Sequence, residues 1–123
     1  MHKILVVDDE LEICSFLKSF FEERSYDVVT ATSGEEALKK VELEKPQVLL
    51  LDIKMPGKDG LEVLKEVKKK FPKIKVIMVT AVESSDKIEK AIKLGADNYI
   101  TKPLSLEYLE MDVKEKISKL VGA

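Results

Sequence analysis

Asp52 ends an apolar run, Val48-Leu49-Leu50-Leu51, and precedes Ile53-Lys54-Met55-Pro56-Gly57-Lys58-Asp59-Gly60. A short apolar run bounded by turn residues reads as a strand buried on both faces. A carboxylate at its exit sits where open α/β sheets place their chemistry. Asp8 and Asp9 follow a second such run, Ile4-Leu5-Val6-Val7; Thr80 ends a third, and Lys102-Pro103 closes a fourth. Three carboxylates at one place repel one another, and without a partner at least one is pushed toward its protonated form. A hard divalent cation removes that cost, and Mg²⁺ takes oxygen ligands while keeping several waters. Asp8, Asp9, Asp52 and the backbone carbonyl of Lys54 are the candidate ligands. Phosphoryl transfer needs an in-line nucleophile and neutralised equatorial oxygens. Asp52 is suited to be that nucleophile, forming an acyl phosphate. Lys102 offers a point positive charge and Thr80 a hydroxyl donor to the phosphoryl oxygens. Met55-Pro56-Gly57 and Gly60 supply a tight loop that brings backbone close to the group.

These residues must be brought together by the elements between them. Strand patterns at about Lys3–Val7, Asp27–Ala31, Gln47–Leu51, Lys75–Val79 and Asn98–Ile100 alternate with helical ones. The first helix carries Leu11, Ile13, Phe16, Leu17, Phe20 and Phe21 on or near one face. Ser33 and Glu36 have capping-box spacing for the second, with Ala37, Leu38 and Val41 buried. Asp59 and Glu62 have it for the third, with Leu61, Leu64 and Val67 as its stripe and Phe71-Pro72 ending it. The fourth, about Ser85–Leu94, stops at Gly95, and the last follows Ser105 with a stripe of Leu106, Leu109, Val113, Ile117 and Leu120. Five βα units with short loops predict an α/β fold, a doubly wound parallel five-stranded sheet in the flavodoxin-like order 2-1-3-4-5. Its switch point, between strands 1 and 3, brings Asp8, Asp9 and Asp52 together.

The 123 residues fit one domain, residues 1–123, with nothing left over for a second. A net charge of −2 leaves no global nucleic-acid footprint, and no basic recognition helix is evident, so direct nucleic-acid binding is not expected. The Lys68-Lys69-Lys70 run reads as the solvated end of a helix. No apolar run approaches the ~20 residues that span a bilayer, and no secretory leader opens the chain, so the cytoplasm is the expected compartment. The single cysteine, Cys14, excludes an internal disulfide and a zinc knuckle and reads as inert packing or a tolerated surface thiol. Tyr108 and Met111 fall off the stripe of the last helix.

The stretches KILVVDDE, LLLDIKMPGKDG, VIMVTA and LGADNYITKP resemble the response-regulator receiver domains of two-component signalling, the CheY-like family, over essentially the whole chain. The resemblance implies that Asp52 accepts a phosphoryl group from a sensor histidine kinase or phosphotransfer protein. It implies Asp9 as a direct Mg²⁺ ligand with Asp8 acting through water, Thr80 and Tyr99 as switch residues, and a cis Lys102–Pro103 bond. It implies further that the helix 4–strand 5–helix 5 face signals to a target protein or fused output domain, or forms a homodimer, and that the Cys14 region helps dock the donor. Such a domain catalyses only its own phosphorylation and dephosphorylation. Lys54 and Val82 flank the pocket mouth; apolar Val82 cannot orient a hydrolytic water, so a long-lived acyl phosphate is expected.

Other readings fit less well. A haloacid-dehalogenase-type phosphohydrolase places a second Asp two residues after its nucleophile, where this chain has Lys54. A flavin binder needs a Ser/Thr/Gly-rich phosphate loop after strand 1, where Asp8-Asp9-Glu10 would repel the phosphate. A phosphorylation-independent interaction module would not need all five chemical positions intact. Residue by residue, Asp9 alone could be a helix cap ahead of Glu12, and Asp59 is read as a cap rather than a ligand.

Overall fold

Successive side chains of a strand point to opposite faces, so an unbroken apolar run needs cover on both sides. The computed structural model, which describes residues 2–81 and 85–122, supplies that cover. Parallel strands β1 (Lys3–Val7), β2 (Asp27–Ala31), β3 (Val48–Asp52), β4 (Lys75–Thr80) and β5 (Asn98–Thr101) form one sheet in the order β2-β1-β3-β4-β5. This is the doubly wound, flavodoxin-like order expected from the alternating pattern. Ile4, Val6, Val48, Leu50, Ile77 and Val79 pack on one face with α1 (Leu11–Glu22) and the C-terminal helical rod. Leu5, Val7, Leu49, Leu51, Val76 and Met78 pack on the other with α2 (Gly34–Glu44), α3 (Gly60–Lys70) and Ala91 of α4 (Ser85–Lys93). Every residue of central β3, Asp52 included, is buried. Each aliphatic side chain so enclosed contributes about 1.5–3 kcal/mol.

Local signals place the helix ends. The Ser33 hydroxyl accepts from Glu36 N–H at 3.1 Å, while the Glu36 carboxylate reaches past the cap to Thr32 N–H at 2.7 Å. Asp59 caps α3 by accepting from Glu62 N–H at 3.0 Å. Glu10, not Asp9, is the residue before α1, and it makes no side-chain cap bond. Gly95 follows α4 with φ of +103°, and the Lys102–Pro103 bond is cis. Within the Lys68–Lys70 run, Lys68 is not simply solvated: it donates to Ile74 O and Asp97, each at 2.8 Å.

Two helices depart from the expected pattern. On α1 the buried residues are Cys14, Leu17, Phe20 and Phe21, whereas Leu11 and Phe16 are 71% and 40% exposed. The 3.6-residue turn carries Phe16 round from the Cys14–Leu17–Phe21 line, and Leu11 lies in the opening turn. Cys14 is therefore core packing, its thiol 3.3 Å from the Asp8 carbonyl it donates to. The last helix is not continuous: α5 (Leu106–Tyr108) passes through a π turn (Leu109–Val113) into α6 (Lys114–Val121). Leu109, Val113 and Ile117 are fully buried, while Leu106 at the start is 57% exposed. A strict four-residue apolar spacing overshoots the α turn, and one wider turn absorbs the excess. Arg24, in the turn just past α1, lies 3.6 Å over the Phe20 ring and pairs with Glu110 of the π turn.

Lys45 ends α2 in the left-handed region, with φ of +47°. That conformation costs a non-glycine residue about 1–2 kcal/mol, against about 0.5–1 kcal/mol for glycine's greater backbone entropy. Lys45→Gly is expected to raise unfolding free energy by about 0.5–1 kcal/mol in urea titration; a lower midpoint would contradict it.

Candidate functional site

Four strand ends and their loops meet at the carboxyl edge of the sheet. β1 delivers Asp8, whose N–H donates to Ala31 O at 3.1 Å, holding the strand end against β2. β3 delivers Asp52; the chain then turns sharply, with Ile53 N–H donating to Val79 O at 3.3 Å and Gly60 N–H to Ile53 O at 2.9 Å. β4 ends at Thr80, which is buried and accepts at its carbonyl from Lys102 N–H at 2.9 Å. That bond sets the Lys102 side chain over the acids. Its Nζ lies 2.9 Å from Asp8 Oδ2 and 3.5 Å from Asp52 Oδ2. The other Asp8 oxygen accepts from Glu10 N–H at 2.9 Å.

Burial first, and the Asp8 charge second, push the Asp52 carboxyl up from 3.8 to about 6, with Lys102 opposing and Asp9 adding. Burial pulls Lys102 down, but its hydrogen bond to Asp8 and the charges of Asp52, Asp8 and Glu10 outweigh this and leave it raised. The Cys14 thiol is pushed up by burial and by the same Asp8 charge. The cluster thus holds more negative charge than one ammonium neutralises.

The carboxylates of Asp8, Asp9 and Glu10 offer oxygens within 4.8 Å of one another. An all-oxygen donor set beside a carboxyl forced toward its protonated form fits a hard divalent cation such as Mg²⁺. Of the predicted residues, Asp8, Asp52 and Lys102 come together by direct contact, and Thr80 ends the neighbouring strand. Asp9 and Lys54 are exposed and line a cavity of about 410 Å³ with Met55, Pro56, Asp59 and Lys87. Tyr99 stands apart on β5, opposite Met78 and 40% exposed. Val82 lies outside the described residues. Glu10 went unrecognised as a possible ligand, although its adjacency to Asp8 and Asp9 was the available signal. A groove of about 560 Å³ between α1 and the loop after β5, lined by Glu10, Ile13, Phe16, Lys102, Pro103 and Leu104, was also missed; the exposed Phe16 is its mark.

Residues 4–114 match the response regulator receiver domain, and the chain belongs to that family of two-component signalling proteins. It is 46% identical over 113 residues to the alkaline phosphatase synthesis transcriptional regulatory protein PhoP of Bacillus subtilis, covering 91% of this chain and 47% of that one. The chain therefore spans about half the length of that relative. A CheY-like receiver domain protein from Methanospirillum hungatei is similar with a TM-score of 0.90 and 35% identity, over 99% of this chain and 98% of that one. The response regulator TrrA of Thermotoga maritima, solved in complex with Mg²⁺-BeF, follows with a TM-score of 0.85 and 42% identity over 98% and 99%. No helix among the described residues is long and apolar enough to cross a membrane.

Because folding raises the Asp52 pKa from 3.8 to about 6, the charged carboxylate is disfavoured in the native state. That cost is absent below about pH 4, grows as pH rises toward 6, and is complete above it. Asp52→Asn, which carries no charge, is expected to stabilise the metal-free protein at pH 7 by about 1–3 kcal/mol. The gain disappears near pH 4. Thermal unfolding at both pH values, with chelator present, checks this; a destabilised variant at pH 7 would contradict it.

Proposed function

We propose that the chain accepts a phosphoryl group on Asp52 from the phosphohistidine of a sensor kinase or phosphotransfer protein, with Mg²⁺ as cofactor, and relays the change to a target protein or a fused output domain. The observation that carries this reading is the Asp52 carboxylate. It is buried at the end of the central strand, crowded by Asp8 and bridged to it by Lys102. An Asp52 oxygen attacks phosphorus as the donor's N–P bond breaks, and the bonding electrons leave on the imidazole. Lys102 and Thr80 hold phosphoryl oxygens, one as a charge and one as a hydroxyl donor. Asp8, Asp9, Asp52 and the Lys54 carbonyl would hold Mg²⁺, with Glu10 alongside. The cation supplies neutralisation of the charge that builds on the phosphoryl oxygens. The Thermotoga relative's Mg²⁺-BeF complex supports this choice of metal. The α1 groove beside Lys102 suits a donor's helical surface, with Ile13, Phe16 and Leu104 as its apolar contacts.

The output follows from two states. Phosphate on Asp52 draws Thr80 inward and admits the Tyr99 ring, reshaping a face that presents Ile92, Tyr99 and Met111 to solvent. Moving an equilibrium from 1:99 to 99:1 takes about 5.5 kcal/mol, and one charge-assisted hydrogen bond supplies only about 1.5–3 kcal/mol. Thr80 is too weak alone, so Lys102 and the loop after Asp52 contribute. The same face is where a target, a fused domain or a second copy would meet the chain. The activity is self-directed: the chain catalyses its own phosphorylation and dephosphorylation, in the cytoplasm.

Incubation with acetyl phosphate and Mg²⁺ is expected to add one phosphoryl mass to the wild-type chain and none to Asp52→Asn or to chelator-treated protein. Lys102→Ala should label about 10²-fold more slowly, the usual cost of losing one preorganised charge donor. Labelling that persists in Asp52→Asn would overturn the assignment.

A further inference from the structure

Two glycines touch the loop that carries Asp52 into α3, and neither has room for a side chain. A Cβ on Gly60 would lie 2.1 Å from the Asp52 carbonyl oxygen, 2.8 Å from Ile53 Cα and 2.9 Å from the Asp52 carbonyl carbon. All three are backbone atoms, so no rotamer change relieves the contact. A Cβ on Gly34, the first residue of α2, would lie 2.6 Å from the Lys58 carbonyl oxygen and 3.0 Å from Lys58 Cβ and Val63 Cγ2. Neither glycine has a positive φ, so what each provides is room rather than backbone freedom. Gly60 N–H also donates to Ile53 O at 2.9 Å, closing the loop on itself.

We infer that Gly60 and Gly34 are positioning residues of the phosphoryl site, clamping the 53–59 loop by bare-backbone contact between the acceptor strand and the start of α2. The clamp aims the Asp52 carboxylate and the Lys54 carbonyl, and Gly60 does the greater part because it bears on Asp52 itself. α2, which contributes no side chain to the site, thereby becomes part of its scaffold. The inference rests on the phosphoacceptor reading of Asp52.

The test compares phosphorylation by saturating acetyl phosphate, and Mg²⁺ affinity from amide shifts, in the full chain. Gly60→Ala should label about 10²-fold more slowly at saturating donor, the expected cost of a displacement near 1 Å, and bind Mg²⁺ more weakly. Gly34→Ala, which bears on the loop at Lys58 rather than on Asp52 itself, should lose less, about 3–10-fold. Gly95→Ala, strained at φ of +103° and remote from the site, is the matched control: it loses stability but labels and binds Mg²⁺ like wild type. If Gly60→Ala does not fold, Gly34→Ala decides. A wild-type chain that takes no phosphoryl group overturns the reading of Asp52 and this inference with it. A wild-type chain that labels, with both glycine variants matching it, overturns the inference alone. Equal losses in Gly95→Ala and Gly60→Ala also overturn it, since the effect would then be general destabilisation.

Discussion

The whole arrangement depends on carboxylates held close together at the edge of an apolar sheet. Asp8 and Asp52 are nearly fully buried, and burial together with the Asp8 charge disfavours the charged form of Asp52. Strand pairing keeps them there: β1 and β3 are adjacent and in register from Ile4–Val48 to Val7–Leu51, so their ends emerge side by side. Lys102 relieves part of the repulsion, and its own position is set by the backbone bond to the end of β4. The hydrophobic layers on both faces stabilise the strands, and the strands in turn confine charges that would otherwise separate.

The same constraint explains why chemistry and scaffold are hard to separate in this chain. β3 contributes Leu49 and Leu51 to one face and Val48 and Leu50 to the other before ending at Asp52. A core truncation in that strand, such as Leu50→Ala, would cost about 2–5 kcal/mol and would also move the acceptor. The helices on the outer layers are looser in their demands. α1 tolerates Leu11 and Phe16 in solvent, and the C-terminal rod accommodates a π turn to keep Leu109, Val113 and Ile117 in line.

Much of this was legible in the residues. Apolar runs ending in Asp8, Asp52 and Thr80 announce strands and the edge at which they finish, because period-two burial and strand-end chemistry are local properties. The caps at Ser33 and Asp59 were legible for the same reason. What escaped depended on three-dimensional register. Whether Phe16 points into the core or lines a groove turns on one helical rotation, and whether Glu36 reaches Ser33 or Thr32 turns on a loop angle. Lys102 could be matched with a phosphate from its place before proline, but its contact with Asp8 follows from the cross-strand hydrogen bond at Thr80.

Cys14 gives this molecule a built-in clock. The thiol is sealed beneath the acid cluster, donating to the Asp8 carbonyl, and it is the chain's single cysteine. A thiol reagent reaches it only when α1 lifts from the sheet, so the alkylation rate measures the frequency of that local opening against whole-chain unfolding. Since α1 also walls the groove beside Lys102, the same rate reads how often that wall breathes.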